Sequence, residues 1–183
     1  MVACRPRVAA RLLGSLLAVS LAASAGVSAQ QASASAVTAA YLLNFARFAT
    51  YPPEAQGSTV VICVTDDARV LAALQDTVRD QRVGAAAVVG RALDGGEAPS
   101  ACHVWFVGRD GLSHWRARQP GLAGVPVLTV SDAPGFQQAG GMLELVSANG
   151  RIRFRVNLRA TTRAGLQLNA RLLALAMDVG TRP

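Results

Sequence analysis

The chain contains no lysine, so all 18 of its Lys/Arg positions are arginine. That absence excludes a Schiff-base lysine and the phosphate-gripping lysine of a Walker loop. Three cysteines in 183 residues are too few for a disulfide scaffold, and no Cys/His cluster has the spacing of a zinc site. Aromatic residues make up only 5%, too few to wall a sugar cleft around paired carboxylates. Only two histidines exist, and no G-x-S-x-G elbow accompanies them. His103 lies inside an apolar run and reads as a satisfied core histidine, while His114 sits in a polar stretch between Ser113 and Trp115. Hydrolase chemistry therefore has little support, and neither a cofactor nor a metal is expected. What is present, 51% hydrophobic and 16% charged residues, is the composition of one ordinary folded domain.

The first residues read as an address. Arg5, Arg7 and Arg11 precede the apolar run Leu12 to Ala23, which is too short to serve as a permanent membrane span, and Val27 and Ala29 are small residues where a signal peptidase needs them. The expected organisation is a signal peptide over residues 1–29 and one domain over residues 30–183. Removal of the leader leaves 15 arginines against 11 acidic residues, a modest surplus that, with export, argues against a nucleic-acid partner. It also leaves two cysteines, Cys63 and Cys102. In an oxidising compartment they form a bridge if their strands are neighbours; otherwise they are two buried thiols.

Ser33 to Phe48 reads as a helix, with Val37, Tyr41, Phe45 and Phe48 at three-to-four spacing and Pro52-Pro53 beyond its end. Thr59 to Thr65 is a continuous apolar run rich in β-branched residues, the pattern of a strand buried on both faces. Asp67 caps a helix whose apolar stripe is Val70, Leu71, Leu74 and Val78. Further strands are expected over Arg82 to Val89, Cys102 to Val107 and Val125 to Val130, with a weak helix from Gly111 to Arg118 and a short one from Pro134. Asn149-Gly150 marks a hairpin between Met142–Ser147 and Arg151–Val156, whose second arm alternates arginine with Ile152, Phe154 and Val156. Asn157 caps a last helix running to about Val179. The fold class is thus α/β: a single-domain, mostly parallel sheet with helices on both faces, closed by a C-terminal β-hairpin and a long helix.

Two places invite function. In that last helix Leu166, Ala170, Leu173 and Met177 form one apolar stripe, and Leu168, Leu172, Leu175 and Val179 form another on nearly the opposite side. One stripe docks on the sheet; the other meets the first helix, a second subunit or a partner. Arginines gather nearby, among them Arg153, Arg155 and Arg159. The second place lies at the carboxyl ends of the strands, where Asp66, Asp67, Arg109, Ser131 and Asp132 would line a polar cleft, although Asp67 and Asp132 also read as helix caps.

Three stretches carry a resemblance. Thr38 to Phe48 (TAAYLLNFARF) with Tyr51-Pro52, Cys102 to Gly108 (CHVWFVG), and Arg153 to Leu158 (RFRVNL) running into Arg163 to Leu166 are similar to the YfiR family of periplasmic proteins. Pro126 to Asp132 (PVLTVSD), leading through Phe136 to Gly140-Gly141-Met142, agrees as well, so the resemblance covers nearly all of the chain after its leader. It implies a non-enzymatic periplasmic regulator that represses an inner-membrane diguanylate cyclase by binding its periplasmic domain, with cyclic-di-GMP output and biofilm formation as the readout. It further implies a homodimer, an outer-membrane lipoprotein as a possible second partner, and a disulfide at Cys63 and Cys102. A second cysteine pair found in some members is absent, and Arg155 stands where members often carry glutamate. On this reading Arg153, Arg155, Arg159, Leu166, Leu173 and Met177 are the partner-binding residues. The competing expectation is a periplasmic small-molecule sensor using the cleft near Asp66, Arg109 and Asp132.

Overall fold

The structure of the chain, a computed structural model, describes residues 22–93 and 95–180, the side chains of residues 22–33 excepted. In order the elements are α1 (Ala22–Phe48), β1 (Ala49–Thr50), β2 (Thr59–Thr65), α2 (Ala68–Thr77), β3 (Arg82–Val83), β4 (Ala86–Ala92), β5 (Val104–Val107) and α3 (Leu112–Arg118). There follow β6 (Leu128–Ser131), β7 (Leu143–Ala148), β8 (Arg151–Asn157), α4 (Leu158–Arg163), β9 (Gln167–Leu168), α5 (Ala170–Leu173) and β10 (Asp178–Gly180). The leader expected over residues 1–29 lies outside the described residues as far as residue 21, and its remainder forms the start of α1.

One eight-stranded sheet runs in the order β10-β8-β7-β6-β5-β2-β4-β3. The five strands β4-β2-β5-β6-β7 are mutually parallel, while β3 on β4 and β8 on β7 run antiparallel. Alternation along the strands sends side chains to two cores. Ile62, Val64, Val104, Phe106, Leu128 and Val130 face α1 and α2, whereas Cys63, Trp105 and Val107 face the other way, toward Trp115 of α3 and Phe136. The expected mostly parallel sheet with helices on both faces is therefore what forms. The sequence stripe on α1 is rotated from its expected position: Ala39, Leu42, Phe45 and Ala46 are buried, and Val37 is left 40% exposed.

Three expectations need correction. The run Arg82 to Val89 is two strands, because Gly84 at φ 58° turns β3 back on β4. The segment from Pro134 is a set of turns rather than a helix. Most consequentially, there is no long last helix. Asn157 does cap α4 through its side-chain oxygen, but the helix ends at Arg163. Gly165 adopts φ 70°, its N–H donates to Thr162 O (3.0 Å) and Leu166 N–H donates to Thr161 O (3.0 Å), the paired bonds of a Schellman stop. The chain then pairs β9 with β1, caps α5 with Asn169, and returns β10 alongside β8. The apolar periodicity continues through the stop, which is why it reads as one helix.

Cys63 in β2 and Cys102 just before β5 are joined by a disulfide, with Cα atoms 5.9 Å apart and a sequence separation of 39. Both are fully enclosed in the α3-side core.

Two stability outcomes follow from this arrangement. A Cβ at Gly165 would meet nothing nearer than Pro52 Cγ at 4.0 Å, so Gly165→Ala suffers only the left-handed backbone penalty. It should lower stability by about 1 kcal/mol, read as a thermal midpoint about 2–4 °C lower. Replacing both cysteines, Cys63→Ser with Cys102→Ser, should destabilise by about 2–4 kcal/mol in a denaturant titration, because the unfolded chain loses its cross-link.

Candidate functional site

The hairpin β7–β8 is set by its turn. Asn149 and Gly150 sit at φ 52° and 70°, the conformation of a two-residue primed turn, and they fix the pairing from Ala148↔Arg151 to Leu143↔Val156. One side of the second arm is inward: Phe154 packs edge-on against Phe45 (centroids 5.2 Å) and lies 5.9 Å from Tyr41, whose hydroxyl donates to Ile152 O at 2.9 Å. The other side carries Arg151, Arg153 and Arg155. Arg151 and Arg153 are exposed. Arg155 instead lies opposite Glu144 and its guanidinium contacts that carboxylate at 3.3 Å. Glu144 is 2% exposed and also accepts the Gln137 N–H at 2.9 Å, so Arg155 serves chiefly to balance a buried charge.

The remaining expected partner-binding residues separate. Arg159 is exposed on α4. Leu166 is a correction: at 2% exposure it belongs to the core, placed there by the turn out of α4. Leu173 is half-buried against the same core. Met177 is 51% exposed, and Leu175, which the sequence placed on the opposite stripe, is the most exposed large apolar residue described, at 65%. The presented surface is thus an arginine-faced hairpin and the apolar pair Leu175 and Met177, with Met177 N–H tied to Phe154 O at 2.9 Å.

At the carboxyl ends of the strands the crossover after β2 goes to the α2 side and that after β5 to the α3 side, so a crevice is expected between them. It is bridged. Gly108 N–H donates to Thr65 O at 2.8 Å, and the Asp66 carboxylate meets Nδ1 of the exposed His114 at 2.8 Å. Asp67 accepts the N–H groups of Arg69 and Val70, both at 3.0 Å, which caps α2. The buried Ser131 hydroxyl accepts Ala133 N–H at 3.0 Å. The exposed Arg109 and the half-buried Asp132 face each other at 3.6 Å. Of the five expected cleft residues, Asp66 and Asp67 line a common groove, about 580 Å³, whose walls also include Thr65, His114 and Arg118. Arg118 reaches the carbonyl of Gly95 and stands 5.9 Å from the centre of the Trp105 ring.

His103 does what its place in the sequence implies. Its Nδ1 accepts Val61 N–H at 3.1 Å and its Nε2 lies 3.0 Å from Ala55 O, so both ring nitrogens are occupied. Among the described residues no serine, threonine or cysteine side chain is hydrogen-bonded to either histidine, and no group of three or more His, Cys, Asp or Glu could hold a metal. No described helix is long and apolar enough to cross a membrane. Sequence reasoning missed the Asp66–His114 pair, because 48 residues separate its members and only the sheet brings them together. The Glu144–Arg155 pair, by contrast, follows from counting outward along the hairpin.

Burial holds the Asp132 carboxyl above the usual carboxylate range, partly offset by the neighbouring Arg109 guanidinium. One of its oxygens, Oδ1, is buried without a hydrogen-bond partner. A carboxyl whose folded pKa is raised favours the folded state while protonated and opposes it once ionised. Asp132→Asn should therefore raise the thermal midpoint at neutral pH, and the gain should vanish as the pH falls below the ordinary aspartate pKa of about 3.9. Equal gains at both pH values would show that the gain does not come from ionisation of Asp132.

Residues 35–177 match the YfiR/HmsC-like family, and the chain belongs to that family. The match runs from the body of α1 to the residue before β10, and so takes in the sheet except for its last strand. No curated protein matches the chain.

Proposed function

We propose that this YfiR/HmsC-like protein is an exported, non-enzymatic regulator that represses an inner-membrane diguanylate cyclase by binding that enzyme's periplasmic domain. Cyclic-di-GMP synthesis falls as a result, and biofilm formation with it. The observation that carries the reading is the family match over residues 35–177. The arginine-rich leader segment, followed by an apolar run and small residues, supports export.

The hairpin is the contact surface. Its inward side is locked to α1 by Phe45, Tyr41 and Phe154, so the outward arginines are held on a stiff element rather than a loop. Arg151 and Arg153 stand beside the small or apolar Ala148 and Val146 across the ladder, which gives a positively charged strip over a flat apolar base. Such a strip fits an acidic patch on the partner: the charges steer encounter and the base supplies contact area. Leu175 and Met177 extend the apolar part. A specific interface needs roughly 1,000 Å² of buried surface, which a hairpin face and the adjoining tail can provide together. A second copy of the chain and an outer-membrane lipoprotein are further partners on this reading.

Reversing the exposed charges, Arg151→Glu with Arg153→Glu, should weaken binding to the cyclase's periplasmic domain by about tenfold or more while leaving the thermal midpoint unchanged. Cells carrying that variant should show cyclic-di-GMP levels near those of a deletion strain. Unchanged binding would remove the hairpin from the interface, and a purified pair that never associates would end the proposal.

A further inference from the structure

A second groove, of about 450 Å³, lies at the base of the hairpin, where β8 passes into α4 and β10 returns beside it. Four separate segments build its walls, and nearly every side chain they contribute is polar. Arg159 and Arg163 stand one helical turn apart on α4; Gln119, Gln137 and Gln138 line the same groove, with Asp178, the first residue of β10. The two arginines also bound an adjoining shallow depression with Leu158 and Thr162, so both border open concave surface. Neither makes an ion pair among the described residues, in contrast to Arg155, Arg109, Arg79 and Arg91, each of which has a carboxylate partner.

The amides opposite are already oriented. Gln137 gives its NH2 group to Val156 O at 2.8 Å, Gln119 gives its own to Ala139 O at 3.0 Å, and Asn157 donates to Gln137 O at 3.4 Å while its oxygen caps Ala160 N–H. Anchoring through nitrogen leaves the carbonyl oxygens of Gln119 and Gln137 as acceptors. One wall therefore offers two guanidinium groups to an oxyanion, and the other offers fixed acceptors to hydroxyl or amine donors. The floor holds no aromatic ring or large apolar side chain, which disfavours an aromatic ligand.

We infer that this groove binds a small acidic sugar, a polyhydroxylated molecule carrying one phosphoryl or carboxylate group, with Arg159 and Arg163 gripping the anion and the glutamine wall receiving the hydroxyls. The site is independent of which partner the hairpin meets. Because Asn157 and Gly180 join the groove to the ends of β8 and β10, an occupant bears directly on the strand that carries the arginine strip.

Isothermal titration of the purified chain with glucose 6-phosphate, glucuronate and glucose tests the assignment. Both acids should bind and glucose should not; the stronger of the two identifies the oxyanion. Arg159→Gln with Arg163→Gln should weaken binding by about tenfold or more. Arg116→Gln with Arg171→Gln, which removes the same charge from exposed positions outside the groove, should leave it unchanged. Gln138→Ala, which keeps every charge, should weaken binding of the acids without affecting their salt dependence. Binding of neither acid, equal losses in the two double variants, or equal binding of glucose would each overturn the inference.

Discussion

A parallel sheet cannot leave a face to water, because each of its strands carries apolar side chains above and below. That constraint governs this molecule. β2 and β5 at the centre send Ile62, Val64, Val104 and Phe106 to one side and Cys63, Trp105 and Val107 to the other. The crossover helices must divide between the faces, and they do: α1 and α2 cover the first, α3 and the turns around Phe136 the second. The disulfide lies in the second, smaller core, where a cross-link compensates for limited buried area.

The division of helices would ordinarily open a ligand crevice between the carboxyl ends of β2 and β5. Here polar side chains at that place have local partners: Asp67 caps α2, Ser131 receives a turn N–H, Asp66 meets His114, and Arg109 faces Asp132. Among the described residues, arginines without an ion pair collect instead toward the β8 edge of the sheet, at Arg151 and Arg153 of the hairpin and Arg159 and Arg163 of α4. The reason is geometric. The antiparallel β8 has one face committed to Tyr41, Phe45 and the core, so its alternate residues must be polar, and in a chain without lysine those residues are arginines. Only Arg155 of the three is balanced, by Glu144.

This distribution suits a protein that works by association. The residues with chemical reactivity are tied up in structure, and the groups left unpaired are donors on rigid elements. The groove at the hairpin base and the charged strip share β8, so an occupant of one bears on the strand that presents the other.

Local patterns were sufficient for much of this. β2 matches its apolar run residue for residue, Asp67 and Asn157 cap the helices that follow them, and Asn149-Gly150 sets the hairpin register and thereby the Glu144–Arg155 pairing. These features depend on neighbours within a few residues, where steric and hydrogen-bonding preferences act directly. The C-terminal segment did not yield to the same reasoning, since its leucines keep helical spacing past Gly165 while the backbone turns away to pair Gln167 and Leu168 with Thr50 and Ala49. Leu166 consequently joins the core instead of a partner face, Leu173 packs half-buried against it, and Leu175 and Met177 are left exposed. Composition and periodicity settled which segments are apolar, which strands are buried and which side of the hairpin is charged; tertiary structure alone decided where the last helix stops and that Asp66 meets His114 and Arg109 meets Asp132, because those outcomes depend on contacts between segments far apart along the chain.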